Sequence, residues 1–254
     1  MHRFFTDGEL IVGATVALDS DESRHALRVL RMSAGDAIHL LDGRGASALA
    51  FILHKATREH CNVNITEAAH GCAYAKVTQL LPSNEPQAFV TLYQGLCKGG
   101  KLDLIVQKCT ELGIGRIVPV QFMRSDARLS SEENRAARLT RIAREAVKQC
   151  GRSRVPDIAQ AVMFSAMLKE LAQPCGLSVV LWENEKNTGV ASVLQKGVGR
   201  VSIIVGPEGG IDETEVRALT ESGAVCATLG KRILRTETAA IAATTVVMYA
   251  LGEL

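Results

Sequence analysis

Over the first 72 residues the hydrophobic positions alternate in short runs instead of recurring at helical spacing. Ala37-Ile38-His39-Leu40-Leu41 and Ala48-Leu49-Ala50-Phe51-Ile52-Leu53 read as strands, and Asp42-Gly43-Arg44-Gly45 between them is a turn signal. One helical patch lies near Ser23 to Leu30. This pattern predicts a small β-rich domain over residues 1–72. Around Gly71 to Lys76 the period changes. Apolar runs at Phe89 to Tyr93, Ile117 to Val120, Ser178 to Trp182, Val201 to Val205 and Val225 to Leu229 then alternate with amphipathic stretches at Lys101 to Leu112, Glu132 to Cys150, Glu213 to Glu221 and 237–251. Strand and helix alternation at this spacing predicts an α/β domain with a mostly parallel sheet over residues 73–254. No repeat of solenoid period and no low-complexity tract interrupts it.

Three segments of the second domain could carry chemistry. Ser202-Ile203-Ile204-Val205 runs into Gly206-Pro207-Glu208-Gly209-Gly210, and Asp212 with Glu215 three residues later reads as a capping box for the next helix. Glycine loops of this kind usually cradle phosphate, yet the segment has neither the Gly-Lys-Ser/Thr of a P-loop nor G-x-G-x-x-G. Glu208, Asp212, Glu213 and Glu215 fall near the helix N-terminus, where they occupy its positive end and would repel a phosphate. A neutral or cationic ligand fits this loop better, while for any one glycine a tight turn needing positive φ is an equal explanation. The second segment, Leu229 to Ala240, ends a strand and carries Lys231, Arg232 and Arg235 in an irregular loop. Thr236 is then placed to cap a helix apolar on nearly every side. A helix apolar all round is buried, either as a monomer's core helix or between its own sheet and a second subunit; the latter predicts a homodimer. In the third segment, Leu102, Ile105, Val106, Cys109 and Leu112 mark one helical face that Gly113 ends. Lys98, Lys101 and Lys108 are free there to meet phosphate or solvent.

Charge sharpens this picture. The net charge is −2 over residues 1–72, +6 over 73–160 and −2 over 161–254. A basic middle, with Arg124, Arg128, Arg135, Arg138, Arg141, Arg144, Lys148, Arg152 and Arg154 following the three lysines, hints at a polyanionic partner, although a solvated helix face is the commoner cause. All six histidines lie at or before His70. The C-terminal two-thirds therefore has no Ser-His-Asp or Cys-His pair and no histidine metal ligand of its own. The seven cysteines (61, 72, 97, 109, 150, 175 and 226) are an odd number without a C-x-x-C pair, which points to a reducing cytoplasm and away from a disulfide framework or zinc cage. With 47% hydrophobic and 22% charged residues the composition is globular, which excludes disorder and collagen-like structure. The best membrane candidate, Ala239 to Gly252, is short and broken by Thr244 and Thr245. Met1-His2-Arg3-Phe4-Phe5 runs straight into Asp7 and Glu9 with no signal-peptide core. The expectation is a soluble, cytoplasmic protein without membrane or metal partners.

The order K-G-x-K-x-x-x-x-x-x-K-x-T-E-L-G from Lys98, R-I-A-R-E-A-x-x-Q-C-x-R-x-x-x-P from Arg141 to Pro156, G-P-E-G-G at 206–210 and L-G-x-R-I-L-R-x-E-T-A at 229–239 resembles the bacterial small-subunit (16S) ribosomal RNA (uracil-N3)-methyltransferase family, of the SPOUT class of knotted methyltransferases. Arg24-His25-x-x-x-Val29-Leu30-Arg31 is similar to the family's N-terminal RNA-binding, PUA-like β-barrel. The resemblance covers nearly the whole chain; Cys97 and Gly100 depart from it. It implies a PUA-like barrel over 1–72, a SPOUT trefoil-knot domain over 73–254, a homodimer, and a bent S-adenosylmethionine held by the knot loops. Carried over position by position, the cofactor-binding residues are Leu181, Trp182 and Glu183, then Gly206, Glu208, Gly210 and Ile211, then Leu229, Gly230, Arg232, Ile233 and Leu234. A sulfonium cofactor without phosphate agrees with the acidic loop.

Methyl transfer from a sulfonium to a ring nitrogen is an in-line displacement that needs no metal. The N3 proton must leave, so a carboxylate base or a cation that steadies the developing uracil anion is expected. Glu237 and Arg235 are the nearest such groups on the knot segment, and an intersubunit or capping ion pair is an equal reading of both. N3 lies on the Watson–Crick edge, so the target base has to be unpaired and swung out. Arg24, Arg28 and Arg31, spaced along one helix face, would anchor the RNA backbone together with Lys98, Lys101 and Arg152. Two rivals remain: a non-catalytic RNA-binding or ribosome-assembly dimer, and a SPOUT methyltransferase acting on another RNA position.

Overall fold

A computed structural model of the chain describes residues 1–53, 72–129, 134–173, 176–194 and 199–254. Cys61, Cys175, His54, His60, His70 and the expected helix start at Glu132 fall outside these. The chain forms two units, Met1–Glu85 with Val147–Val155, and Pro86–Ala146 with Pro156–Leu254.

The first unit holds β1 (Arg3–Phe5), β2 (Thr15–Ala17), α1 (Ser20–Arg24) running into a π-helical turn (His25–Val29), β3 (Ala37–Leu41), β4 (Ser47–Leu53) and β5 (Tyr74–Leu80). Their sheet order is β1-β3-β4-β5-β2, with β1 parallel to β3 and the other pairs antiparallel. The alternation read from the sequence is visible in β4, where Ala48, Ala50 and Ile52 turn inward onto Phe4, Leu18, Ile38, Leu40, Ala75 and Val77. The turn between β3 and β4 closes on Asp42, whose Oδ1 accepts the amides of Arg44, Gly45 and Ala46 at 2.8, 2.9 and 2.9 Å. The boundary expected at residue 72 moves to about 85. The cause is β5, which pairs with both β4 and β2 and completes the sheet.

A second correction is the return of the chain to this unit at 147–155. Val147 and Val155 pack on Phe5 and Leu41. Glu85 fastens the segment: its carboxylate accepts Arg152 Nε and Nη2 at 3.1 and 2.8 Å and the amides of Ser153 and Arg154 at 2.7 and 2.9 Å.

The second unit alternates strand and helix except for one pair of short strands: β6 (Phe89–Gly95), α2 (Lys101–Glu111), β7 (Arg116–Gln121), α3 (Arg135–Cys150, its last turn grouped with the first unit), the short β8 (Asp157–Ile158) and β9 (Val162–Met163), α4 (Phe164–Leu171), β10 (Leu177–Leu181), α5 (Val190–Val193), β11 (Arg200–Val205), α6 (Glu213–Glu221), β12 (Val225–Ala227) and α7 (Thr236–Leu251). The sheet order is β12-β10-β11-β6-β7-β8, β9 also running along β7, and every pairing is parallel. The central strands are buried on both faces, as helices on both sides require: β6 is buried from Val90 to Gly95 and β11 from Val201 to Val205. Because all strands point one way, the loops after Gly95, Leu181, Val205 and Ala227 emerge at the same edge, where open α/β sheets bind ligands.

Two expectations for α7 change. Thr236 does not cap it: Arg235 is the N-cap and makes no side-chain cap bond, while the Thr236 hydroxyl turns away to the carbonyl of Gly206 at 2.7 Å. Nor is the helix covered all round. Ala240, Ala243, Thr244, Val247 and Met248 are buried, with Thr244 Oγ1 3.5 Å from Cys109 Sγ on α2, but Thr238, Thr245 and Tyr249 face outward and Tyr249 is 73% exposed.

Candidate functional site

The carboxyl edge of the second unit's sheet holds a cleft of about 510 Å³, within the range usual for small-molecule sites. All twelve residues proposed for the cofactor line it, as do Arg235 and Glu237. They come from three loops: 181–183 after β10, 206–211 after β11, and 229–235 after β12. Close backbone approach makes this possible. Gly210 has φ +74°, a conformation that other residues adopt only with strain, and its Cα faces the tip of Glu183, whose Oε1 would lie 2.5 Å from a Cβ. A Cβ on Gly206 would lie 2.7 Å from Ile211 Cγ1, which closes the loop on itself.

The capping box is present. Asp212 accepts the Thr214 amide at 3.0 Å, and Glu215 Oε2 accepts the Asp212 amide at 3.3 Å while its Oε1 takes Met123 N at 2.9 Å. Asp212 also pairs with Arg124 at 2.9 Å. The capping therefore diverts acid away from the cleft, contrary to the electrostatic argument from sequence: Asp212, Glu213 and Glu215 do not line it. Its charged lining is Glu183, Glu208 and Glu237 against Lys101, Lys186, Lys231, Arg232 and Arg235. Glu208 Oε1 already accepts Lys101 Nζ at 2.8 Å and Lys98 N at 3.1 Å. Burial pushes its carboxyl upward, but the Lys101 bond and the amides outweigh that and hold it below the usual range. Glu237 is different: its Oε2 is buried and has no hydrogen-bond partner among the described residues. Lys231, Arg232 and Arg235 are exposed and form no ion pair among the described residues.

The residues proposed for RNA are not brought together as expected. Arg24 is exposed and paired with Asp21 at 2.8 Å, and Arg28 is exposed on the π-helical turn. Arg31 lies beyond that turn with φ +54°, so the three do not share one helix face. Lys98 pairs with Asp126 at 3.0 Å and Lys101 with Glu208. Arg152 is corrected outright: its side chain is 7% exposed and held by Glu85, so it fastens its segment and is not available to a phosphate. Sequence reasoning missed Gln94, Thr228 and Lys186. A glutamine ending the apolar run Phe89 to Tyr93 was the available signal for the first. Among the described residues no cluster of His, Cys, Asp and Glu could hold a metal ion.

Residues 83–248 match the model of the RNA methyltransferase domain, and residues 18–66 match that of the RNA methyltransferase PUA domain. The chain belongs to the RNA methyltransferase family. Among its RNA methyltransferase relatives, ribosomal RNA small subunit methyltransferase E of Bacillus subtilis is 32% identical over 98% of this chain and 96% of its own length. The Neisseria gonorrhoeae enzyme of the same name, solved bound to S-adenosyl methionine, is 31% identical with a TM-score of 0.82 over 99% of this chain and 98% of that one. A Legionella pneumophila methyltransferase in complex with SAM is 27% identical with a TM-score of 0.84 over 98% of both chains. The α/β fold with a parallel sheet, joined to a PUA domain, is the SPOUT-type architecture that the motif order implied.

Proposed function

We propose that this RNA methyltransferase transfers a methyl group from S-adenosylmethionine to N3 of a uridine in small-subunit (16S) ribosomal RNA, acting in the cytoplasm as a homodimer. The carrying observation is the cleft, in which three loops from adjacent parallel strands converge and Gly206 and Gly210 allow their backbones to pack closely. The cleft offers a sulfonium ligand loop backbone without side chains, the indole of Trp182 and the carboxylates of Glu183 and Glu237, while Lys101, Lys186, Lys231, Arg232 and Arg235 make its lining net positive, as suits an RNA substrate brought to the same place. Leu181, Trp182, Glu183, Gly206, Gly210, Ile211, Leu229, Gly230, Ile233 and Leu234 would hold the cofactor. Glu208, already engaged by Lys101, would act by fixing the loop. When bound, S-adenosylmethionine supplies the electrophilic methyl group.

The remaining work falls to this chain's own residues. Glu237, with a buried carboxylate oxygen that no donor satisfies among the described residues, accepts the N3 proton. Arg235, exposed at the cleft and unpaired among the described residues, steadies the negative charge that develops on the uracil ring. Lys231 beside it meets phosphates of a strand whose target base is swung out, and so, in place of the cofactor role expected of it, does Arg232, which is exposed and unpaired among the described residues. N3 as the target atom is supported by the motif order at 98–113, 141–156, 206–210 and 229–239. The homodimer is supported by the same motif order, which implies it, and by Tyr249 standing 73% exposed on α7.

Calorimetric titration with S-adenosylhomocysteine tests the reading. Saturable binding is expected in the wild type and its loss in Gly210→Val, where φ +74° strains any β-branched residue and the added bulk meets Glu183 in the cleft. Absence of binding to the folded wild type would favour an RNA-binding scaffold. Mass spectrometry of the methylated rRNA then identifies the atom. Arg235→Ala is expected to lower turnover about 10²-fold or more with RNA affinity retained; full turnover would remove it from the chemistry.

A further inference from the structure

Gln94 is the last residue but one of β6, is fully buried, and does not line the cleft. Its Nε2 donates to Thr236 Oγ1 at 2.9 Å, and that hydroxyl in turn donates to the Gly206 carbonyl at 2.7 Å. Nε2 also donates to the Gly95 carbonyl at 3.0 Å and reaches the Gly206 carbonyl at 3.5 Å. Gln94 thus ties three segments far apart in sequence: the end of β6, the first residue of the glycine loop, and the first turn of α7, where the 229–235 loop ends. Gly95 supports the same junction by a separate route. A Cβ there would lie 2.3 Å from Pro207 N, so the backbone of the glycine loop rests directly on the end of β6. Burying a primary amide in an apolar sheet is unfavourable unless its bonds are made, and its Oε1 has no partner among the described residues. A leucine there would satisfy the core without that deficit, which argues that the amide is kept for what its donor side holds.

The geometry points to Gln94, acting through Thr236, as a positioning residue that sets the spacing between the glycine loop and the 229–235 loop, two of the three loops that form the cofactor cleft. The inference rests on the cofactor reading of this cleft. It assigns Thr236 to loop registration instead of helix capping, and it makes the Gln94–Thr236–Gly206 chain one unit whose members are not energetically independent.

The test is S-adenosylhomocysteine calorimetry together with steady-state kinetics on the full-length wild type, Gln94→Leu, Thr236→Val, Thr236→Ser and the Gln94→Leu/Thr236→Val double variant. Each apolar substitution is expected to weaken cofactor affinity about tenfold and to raise KM for S-adenosylmethionine in step, with KM for RNA unchanged. Thr236→Ser, which keeps the hydroxyl, restores most of the affinity, and the double variant is no weaker than the worse single one. Wild-type affinity and KM in the apolar variants, with only a lowered thermal midpoint, would overturn the inference, since a merely structural pin gives that result. Additive losses in the double variant would overturn the coupling. Should Gln94→Leu fail to fold, the Thr236→Val and Thr236→Ser pair decides alone. Failure of the wild type to bind would instead overturn the cofactor reading, and this inference with it.

Discussion

At the scale of single residues, two glutamates in the first unit show how donor count decides a buried charge. Glu85 receives two bonds from Arg152 and two from backbone amides. Burial pushes its carboxyl up, but these four donors outweigh burial and hold it below its ordinary value. Glu22 is served by Lys148 Nζ at 3.1 Å and more weakly by the backbone of Phe5, and burial outweighs both so that its carboxyl is raised. A carboxyl depressed in the folded state contributes stability above its unfolded value, near pH 4.5 for Glu85, that is lost as pH falls through the folded value. Glu22 contributes with the opposite sign, so the difference between variants is the informative quantity. Urea unfolding from pH 7 to pH 3 is expected to show Glu85→Gln less stable than wild type by about 3 kcal/mol at pH 7, because a buried Arg152 loses its partner. The gap should narrow on acidification. A pH-independent gap would mean that Glu85 acts through packing alone.

At the scale of elements, α7 and the π-helical turn each expose something that its sequence alone does not explain. Pattern identifies α7 as apolar on every side; packing on α2 and the sheet covers only part of it and leaves Thr238, Thr245 and Tyr249 outward. If a second copy covers this stripe, Tyr249→Arg should shift the sedimentation coefficient to that of a monomer at micromolar concentration while the helical circular dichroism is retained. An unchanged dimer would place the interface elsewhere. The π-helical turn His25–Val29 carries Arg28 outward, and Arg31 follows with φ +54°. An arginine in the left-handed region is uncommon, and such strain is typically found where a side chain is aimed for a purpose. Charge reversal of Arg28 and Arg31 is expected to weaken rRNA binding and to reduce the slope of log affinity against log salt by about 0.7 to 0.9 for each phosphate that is no longer neutralised. An unaltered slope would remove both from the interface.

At the scale of the whole molecule, the cleft exists only because strands from distant parts of the chain lie side by side. β6, β11, β10 and β12 are adjacent in the sheet but begin at residues 89, 200, 177 and 225. Any ligand held by their loops is bound by the native state alone. S-adenosylhomocysteine at 100 times its Kd should therefore stabilise the protein by about 2.7 kcal/mol, raising the thermal midpoint by several degrees. Gly210→Val should show no such shift. A ligand-induced shift of equal size in that variant would place the cofactor outside the glycine loop.

The sequence alone determined the alternation of strands and helices in the second unit, the capping box at Asp212 and Glu215, and the three loops that line the cleft. These depend on period, on local bonds and on motif order, which are properties of neighbouring residues. It did not determine the boundary near residue 85, because β5 belongs to the first unit through its pairing with β4 and β2. Nor did it determine that Arg152 is held by Glu85, 67 positions away, that Asp212 and Glu215 turn from the cleft, or that Thr236 serves Gly206 and Gln94 and caps nothing. Those outcomes are contacts between segments remote in the chain, and only tertiary structure decides which polar group a buried donor meets.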